Sequence, residues 1–128
     1  MPVYDMSAAA QAADFDLKQL DNLLSRNSLP GVEKRRQGVA RRLTPDTVIV
    51  IRLAKELADG LRTSVGSMLP IANDIEQAKS DEVRLGPFLT LRIDRAALRG
   101  STLERLDSAV EIVERRPRGR PPKRSTTG

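Results

Sequence analysis

The chain has 128 residues, 39% of them hydrophobic and only three aromatic, so it has room for one modest, aliphatic core. It contains no cysteine and no histidine, which excludes thiolate nucleophiles, disulfides, Cys/His zinc sites and the usual imidazole acid and base. Net charge is +5, but the cations are concentrated: residues 31–42 carry +4 and residues 115–128 carry +6, whereas 1–30 carry −2 and 43–114 carry −3. Clustered Lys and Arg on a mildly acidic body is the electrostatic footprint of a polyanion binder.

The first 14 residues, "MPVYDMSAAAQAAD", are small and polar without a sustained apolar stripe, and read as a flexible N-terminal arm. They lack the positive n-region of a secretory signal, and no apolar run approaches the ~20 residues of a membrane helix. The expected location is cytoplasmic, with no membrane partner. From Asp16, "DLKQLDNLLSRN" sets Leu17, Leu20, Leu23 and Leu24 on one helical face, with Asp16 placed to cap it, until Leu29, Pro30 and Gly31 break the pattern. The basic stretch "EKRRQGVARR" follows. In "LTPDTVIVIRLAKELADG", Thr44 is placed as an N-cap, Pro45 suits the first turn, Asp46 complements the helix dipole and Gly60 stands where a C-cap belongs. The β-branched run "TVIVI" favours a strand by propensity, but the caps argue for a helix.

Another helix begins within "TSVGSMLPIANDIEQAK", capped by Ser64 or Ser67; if by Ser67, Pro70 falls harmlessly in its first turn. "DEVRLGP" reads as a loop, and "FLTLRID" alternates like a half-buried strand. Asp94 can cap a helix over "RAALRGSTLERLDSA", weakened at Gly100, and Val110, Ile112 and Val113 lean towards a second short strand. The expected fold class is therefore mainly α with a small β component. It comprises a truncated winged-helix-like helical core over 15–80, a strand-helix unit over 81–114 suited to homodimerisation, and a disordered basic tail over 115–128.

Two stretches carry functional chemistry. In "RRPRGRPPKR", six of ten residues are cationic, and Arg118 and Arg120 flank Gly119. The minor groove of A·T-rich DNA is narrow, strongly electronegative and floored with acceptors, so it attracts inserted arginine. Gly119 lets the backbone approach that floor, and Pro117, Pro121 and Pro122 hold the flanks extended. Arg116, Lys123 and Arg124 are then left for phosphates. The stretch resembles the AT-hook of high-mobility-group A proteins. That resemblance implies minor-groove binding to A/T-rich double-stranded DNA, with Arg118, Gly119, Arg120 and Pro121 in the groove.

In the second stretch, Lys34, Arg35, Arg36, Arg41 and Arg42 surround Gly38 just before a capped helix, as would suit a β-wing touching phosphates. With its neighbouring helices, over residues 15–78, it is similar to MerR-like winged-helix regulators through Gly38, Arg41, Leu43, Thr44, Pro45 and Val48. It departs from that pattern at "SRNSLPGVEKRRQ", which is too short and broken to hold a recognition helix between first helix and wing. No phosphate-binding glycine loop, metal-ligand spacing or catalytic cluster stands out, and no cofactor is expected. The sequence thus points to a non-enzymatic, DNA-binding bacterial regulator or nucleoid-associated factor. The alternative is an interaction adaptor whose basic tail docks on RNA, the ribosome or an acidic protein.

Overall fold

A computed structural model describes residues 3–32 and 41–115, with side chains as far as residue 109. The chain is mainly helical, with two small antiparallel sheets. Strand β1 (Tyr4–Asp5) leads directly into helix α1 (Met6–Ala13), where an arm was expected. The Asp5 carboxylate caps this helix by accepting from the Ala8 N–H at 2.9 Å. Ala8, Ala9, Ala10, Ala12 and Ala13 are all buried. The alanines had concealed the helix because each offers little apolar area, but alanine is the best helix former and its small side chain lets neighbouring helices approach closely.

Helix α2 (Leu17–Arg26) buries Leu20 and Leu24 against the core. The chain turns at Pro30 and Gly31, leaves the described residues after Val32 and returns through β2 (Arg42–Leu43). β2 pairs antiparallel with β1, Tyr4 opposite Leu43 and Asp5 opposite Arg42, while Val32 bridges to Leu43 from the other side. Gly31 has φ +82°, and a Cβ there would collide with the hydroxyls of Thr44 and Thr47. Only glycine fits this approach.

Helix α3 (Pro45–Leu61) begins as the sequence indicates: the Thr44 hydroxyl accepts from the Thr47 N–H at 3.3 Å, and Pro45 occupies the first turn. Val48, Ile49, Val50, Ile51, Leu53, Ala54, Leu57 and Ala58 are buried around almost its whole circumference. α3 is the central helix, and that burial overrides the strand propensity of its β-branched residues. It ends one residue beyond Gly60, on Arg62 in the left-handed conformation.

Helix α4 (Val65–Ala78) is capped by Ser64, whose hydroxyl accepts from the Ser67 N–H at 3.2 Å. Pro70 therefore lies inside the helix rather than in its first turn. It is exposed, so water can serve the carbonyl that its missing N–H leaves unpaired.

The stretch read as a loop is strand β3 (Glu82–Gly86), which pairs with β4 (Leu89–Arg92) in a hairpin with a register shift between Arg84 and Gly86. The "LGP" turn signal lies at the hairpin tip, and the partner strand supplies hydrogen bonds that local sequence does not reveal. Helix α5 (Arg95–Arg115) runs through Gly100 and through the segment expected as a strand. Leu98, Thr102, Leu106 and Ala109 form its inward stripe, packed on α1 and α3, and this burial outweighs the ~1 kcal/mol cost of a helical glycine. At its start, Arg95 holds the largely buried Glu76 of α4 at 3.0 Å, and Arg99 reaches Asp46 of α3 at 3.0 Å.

Candidate nucleic-acid interface

Three residues join α1 to α2, and their geometry follows from local chemistry. Asp14 adopts φ 64°, ψ 46° and ends α1. Its N–H donates to the Gln11 carbonyl at 3.3 Å, and the Phe15 N–H donates to the Ala10 carbonyl at 2.8 Å, a Schellman closure. Asp16 precedes α2, and its N–H donates to the Gln19 side-chain oxygen at 3.4 Å. Lys55 of α3 clamps the turn from outside, reaching Asp14 at 3.1 Å with its ammonium 5.8 Å from the centre of the Phe15 ring. The Lys55 hydrogen bond and charge hold the Asp14 carboxyl below its ordinary value. Arg52 donates to the Ala12 carbonyl at 3.0 Å, satisfying an acceptor that the end of α1 leaves open. Two short helices are thus joined by a three-residue turn that α3 holds from outside.

The second helix of that pair presents a polar face. Opposite Leu20 and Leu24, α2 exposes Lys18, Gln19, Asn22, Ser25 and Arg26. Lys18, Asn22 and Arg26 follow one another at four-residue intervals, forming one stripe. Among the described residues, none pairs with these three side chains. Lysine and arginine match guanine acceptors and asparagine matches adenine, so this is donor chemistry suited to base edges.

Sequence reasoning missed this helix pair. The alanine-rich α1 read as an arm, so α2 stood as the first helix of the core. Asp5 three residues ahead of an alanine run was the available signal.

The basic residues expected at a wing divide. Lys34, Arg35 and Arg36 lie outside the described residues. Arg42 is exposed on β2. Arg41 is turned inward to α2: its guanidinium donates to the Asp21 carboxylate at 3.1 Å, the Asp21 carbonyl at 3.3 Å and the Ser25 hydroxyl at 3.4 Å. With its side chain only 15% exposed, it ties the return strand to α2 instead of standing free for phosphate. Arg116, Pro117, Arg118, Gly119, Arg120, Pro121, Pro122, Lys123 and Arg124, the hook residues, also lie outside the described residues.

Among the described residues no group of three acidic side chains could hold a metal ion, and no helix is long and apolar enough to cross a membrane. Comparison with family models, with curated proteins and with solved structures returned no significant match.

Proposed function

We propose that this chain binds double-stranded DNA through two readers: α2 lying in the major groove, and the "RGRP" segment inserted in an A/T-rich minor groove. The observation that carries the reading is the α1-turn-α2 unit, whose second helix exposes the stripe Lys18, Asn22 and Arg26, unpaired among the described residues. In helix-turn-helix binding, the second helix enters the major groove with its outward side chains on base edges. Val32 and Leu43, which flank the basic segment in sequence, bridge antiparallel. That bridge supports the winged-helix resemblance, in which Lys34, Arg35, Arg36 and Arg42 would contact phosphates.

With a base-reading helix available, the regulator reading is stronger than the purely architectural one. A core that binds phosphates weakly, with non-specific Kd of roughly 10⁻⁴ to 10⁻⁶ M, gains selectivity from α2 and avidity from the tethered hook. The chain acts as a transcription regulator with discrete sites near A/T-rich tracts.

The test is binding to A·T-rich, G·C-rich and RNA duplexes, followed by selection of preferred sites from a random duplex pool. Changing both Arg118 and Arg120 to Ala should abolish the A·T preference and leave a weaker, salt-sensitive affinity. Changing Asn22 and Arg26 to Ala should relax the selected site, each good base contact being worth about 1–3 kcal/mol of discrimination. Equal binding of the intact chain to all three duplexes would refute the hook, and an unaltered selected site in the α2 variant would refute the reading helix.

A further inference from the structure

The β3–β4 hairpin continues an apolar face beyond the core it covers. Val83 lies opposite Leu91, and Leu89 lies opposite Gly86, so Val83, Leu89 and Leu91 belong to one face, while Glu82, Arg84, Thr90 and Arg92 pair on the other; Leu85, at the register shift, lines a groove together with Val83. Near the base Val83 and Leu91 pack on the core. At the tip the face is bare: Leu85 is 43% exposed, Leu89 64%, and the adjoining Phe88, one of only two phenylalanines in the chain, 95%. Beneath the overhang lies a groove of about 560 Å³, walled by Ile71, Ile75 and Ala78 of α4 and by Val83 and Leu85 of β3. One surface thus carries a projecting aromatic knob beside an apolar slot.

We propose that this surface pairs with a second copy of the chain, the Phe88 tip of each protomer entering the α4–β3 groove of the other about a two-fold axis. A self-complementary patch of this kind is what an isologous interface requires. Asp74, Glu82 and Arg84 all border the groove, and the Arg84 guanidinium donates to the Gly86 and Pro87 carbonyls at 3.3 and 2.9 Å.

The area suffices. A fully exposed aromatic side chain buries roughly 200 Å², so two rings and the walls they cover remove about 800 Å². Leu85, Pro87 and Leu89 of each copy carry the total into the range of roughly 1,200–2,000 Å² typical of stable interfaces. A polyanion is the poorer occupant, because the segment 80–94 holds Asp81, Glu82 and Asp94 against Arg84 and Arg92.

The experiment is sedimentation of the full chain from about 1 to about 200 µM, where mass action resolves a dimer. The intact chain should shift from monomer to dimer across this range. Phe88→Asp removes the knob, and Ala78→Arg fills the groove from an exposed position. Each should weaken pairing at least ~30-fold, as loss of an interface hot spot does. Both should keep the circular dichroism of the intact monomer. Mixing the two variants restores one of the two exchanges, since the Phe88→Asp groove is open and the Ala78→Arg tip is intact; the mixture should associate more tightly than either alone. A chain that stays monomeric at the highest concentration, or variants that dimerise like the parent, would overturn the proposal. A monomeric parent whose DNA bending is lost on Phe88→Asp would overturn it in favour of an intercalating wedge.

Discussion

Arg41 separates two readings of the basic segment most sharply. If its guanidinium belongs to a phosphate, Arg41→Ala should lower the magnitude of the salt slope, d log K/d log[salt], by ~0.9 and leave the fold untouched. In the structure it spans three acceptors on α2, at 3.1 to 3.4 Å, with Asp21 43% and Arg41 15% exposed. Hydrogen bonds to a charged group contribute about 1.5–3 kcal/mol when sheltered, and exposed ion pairs about 0.2–1. With Asp21 nearly half in solvent, the contribution is discounted to about 1–2 kcal/mol. For a domain of about 100 residues this amounts to a fall in Tm of roughly 5–10 °C. Because α2 loses the brace that sets its angle, duplex affinity should fall with an unchanged salt slope. Asp21→Ala should lower Tm similarly, and the double variant should be no worse than either single one. Thermal unfolding by circular dichroism and anisotropy titrations between 50 and 200 mM salt read both quantities. An unchanged Tm with a slope reduced by ~0.9 would refute the positioning role.

Other outcomes follow from the same geometry. Gly31→Ala should destabilise by about 3 kcal/mol in denaturant titration, combining ~1–2 kcal/mol for a left-handed alanine with loss of the hydrogen bond from Thr47 to the Pro30 carbonyl, 2.7 Å in length. Parental stability would mean that the turn can rearrange at little cost. Asp14 has a depressed pKa in the folded state, so its contribution is present above the ordinary carboxylate range and lost as pH falls through the folded value. Asp14→Asn should accordingly flatten the acid limb of a Tm-against-pH curve and leave its shape above neutrality unchanged. Arg62 and Lys79 end α3 and α4 with φ of 57° and 53°, and Lys79→Gly should raise stability by up to ~1 kcal/mol, since glycine takes that conformation without a Cβ penalty. A lowered Tm would show that the Lys79 side chain contributes more than the strain it imposes.

Local signals carried the reading of α3 a long way. Thr44, Pro45 and Asp46 act within one turn of the backbone they cap, so neither partner nor packing is needed to recognise that start. The same holds for the helical leucines 20 and 24 and for the break at Pro30 and Gly31. Where the outcome depended on what an element packs against, sequence alone was insufficient. The alanines of α1 show no stripe until α3 and α5 lie against them, and Val110–Val113 reads as a strand until Thr102, Leu106 and Ala109 anchor the preceding turns as helix.

For function, the sequence by itself determined where the positive charge is concentrated and the order of residues in "RRPRGRPPKR", because charge density and a short extended motif need no fold. Only the tertiary structure decided which helix presents the outward stripe proposed to read DNA and which arginine is tied to another helix. Lys18, Asn22 and Arg26 become one outward stripe when Leu20 and Leu24 turn inward, and Arg41 meets Asp21 across 20 residues of chain. Contacts so distant in sequence arise from packing alone, which is why charge counting grouped Arg41 with its neighbours and the folded chain separates them.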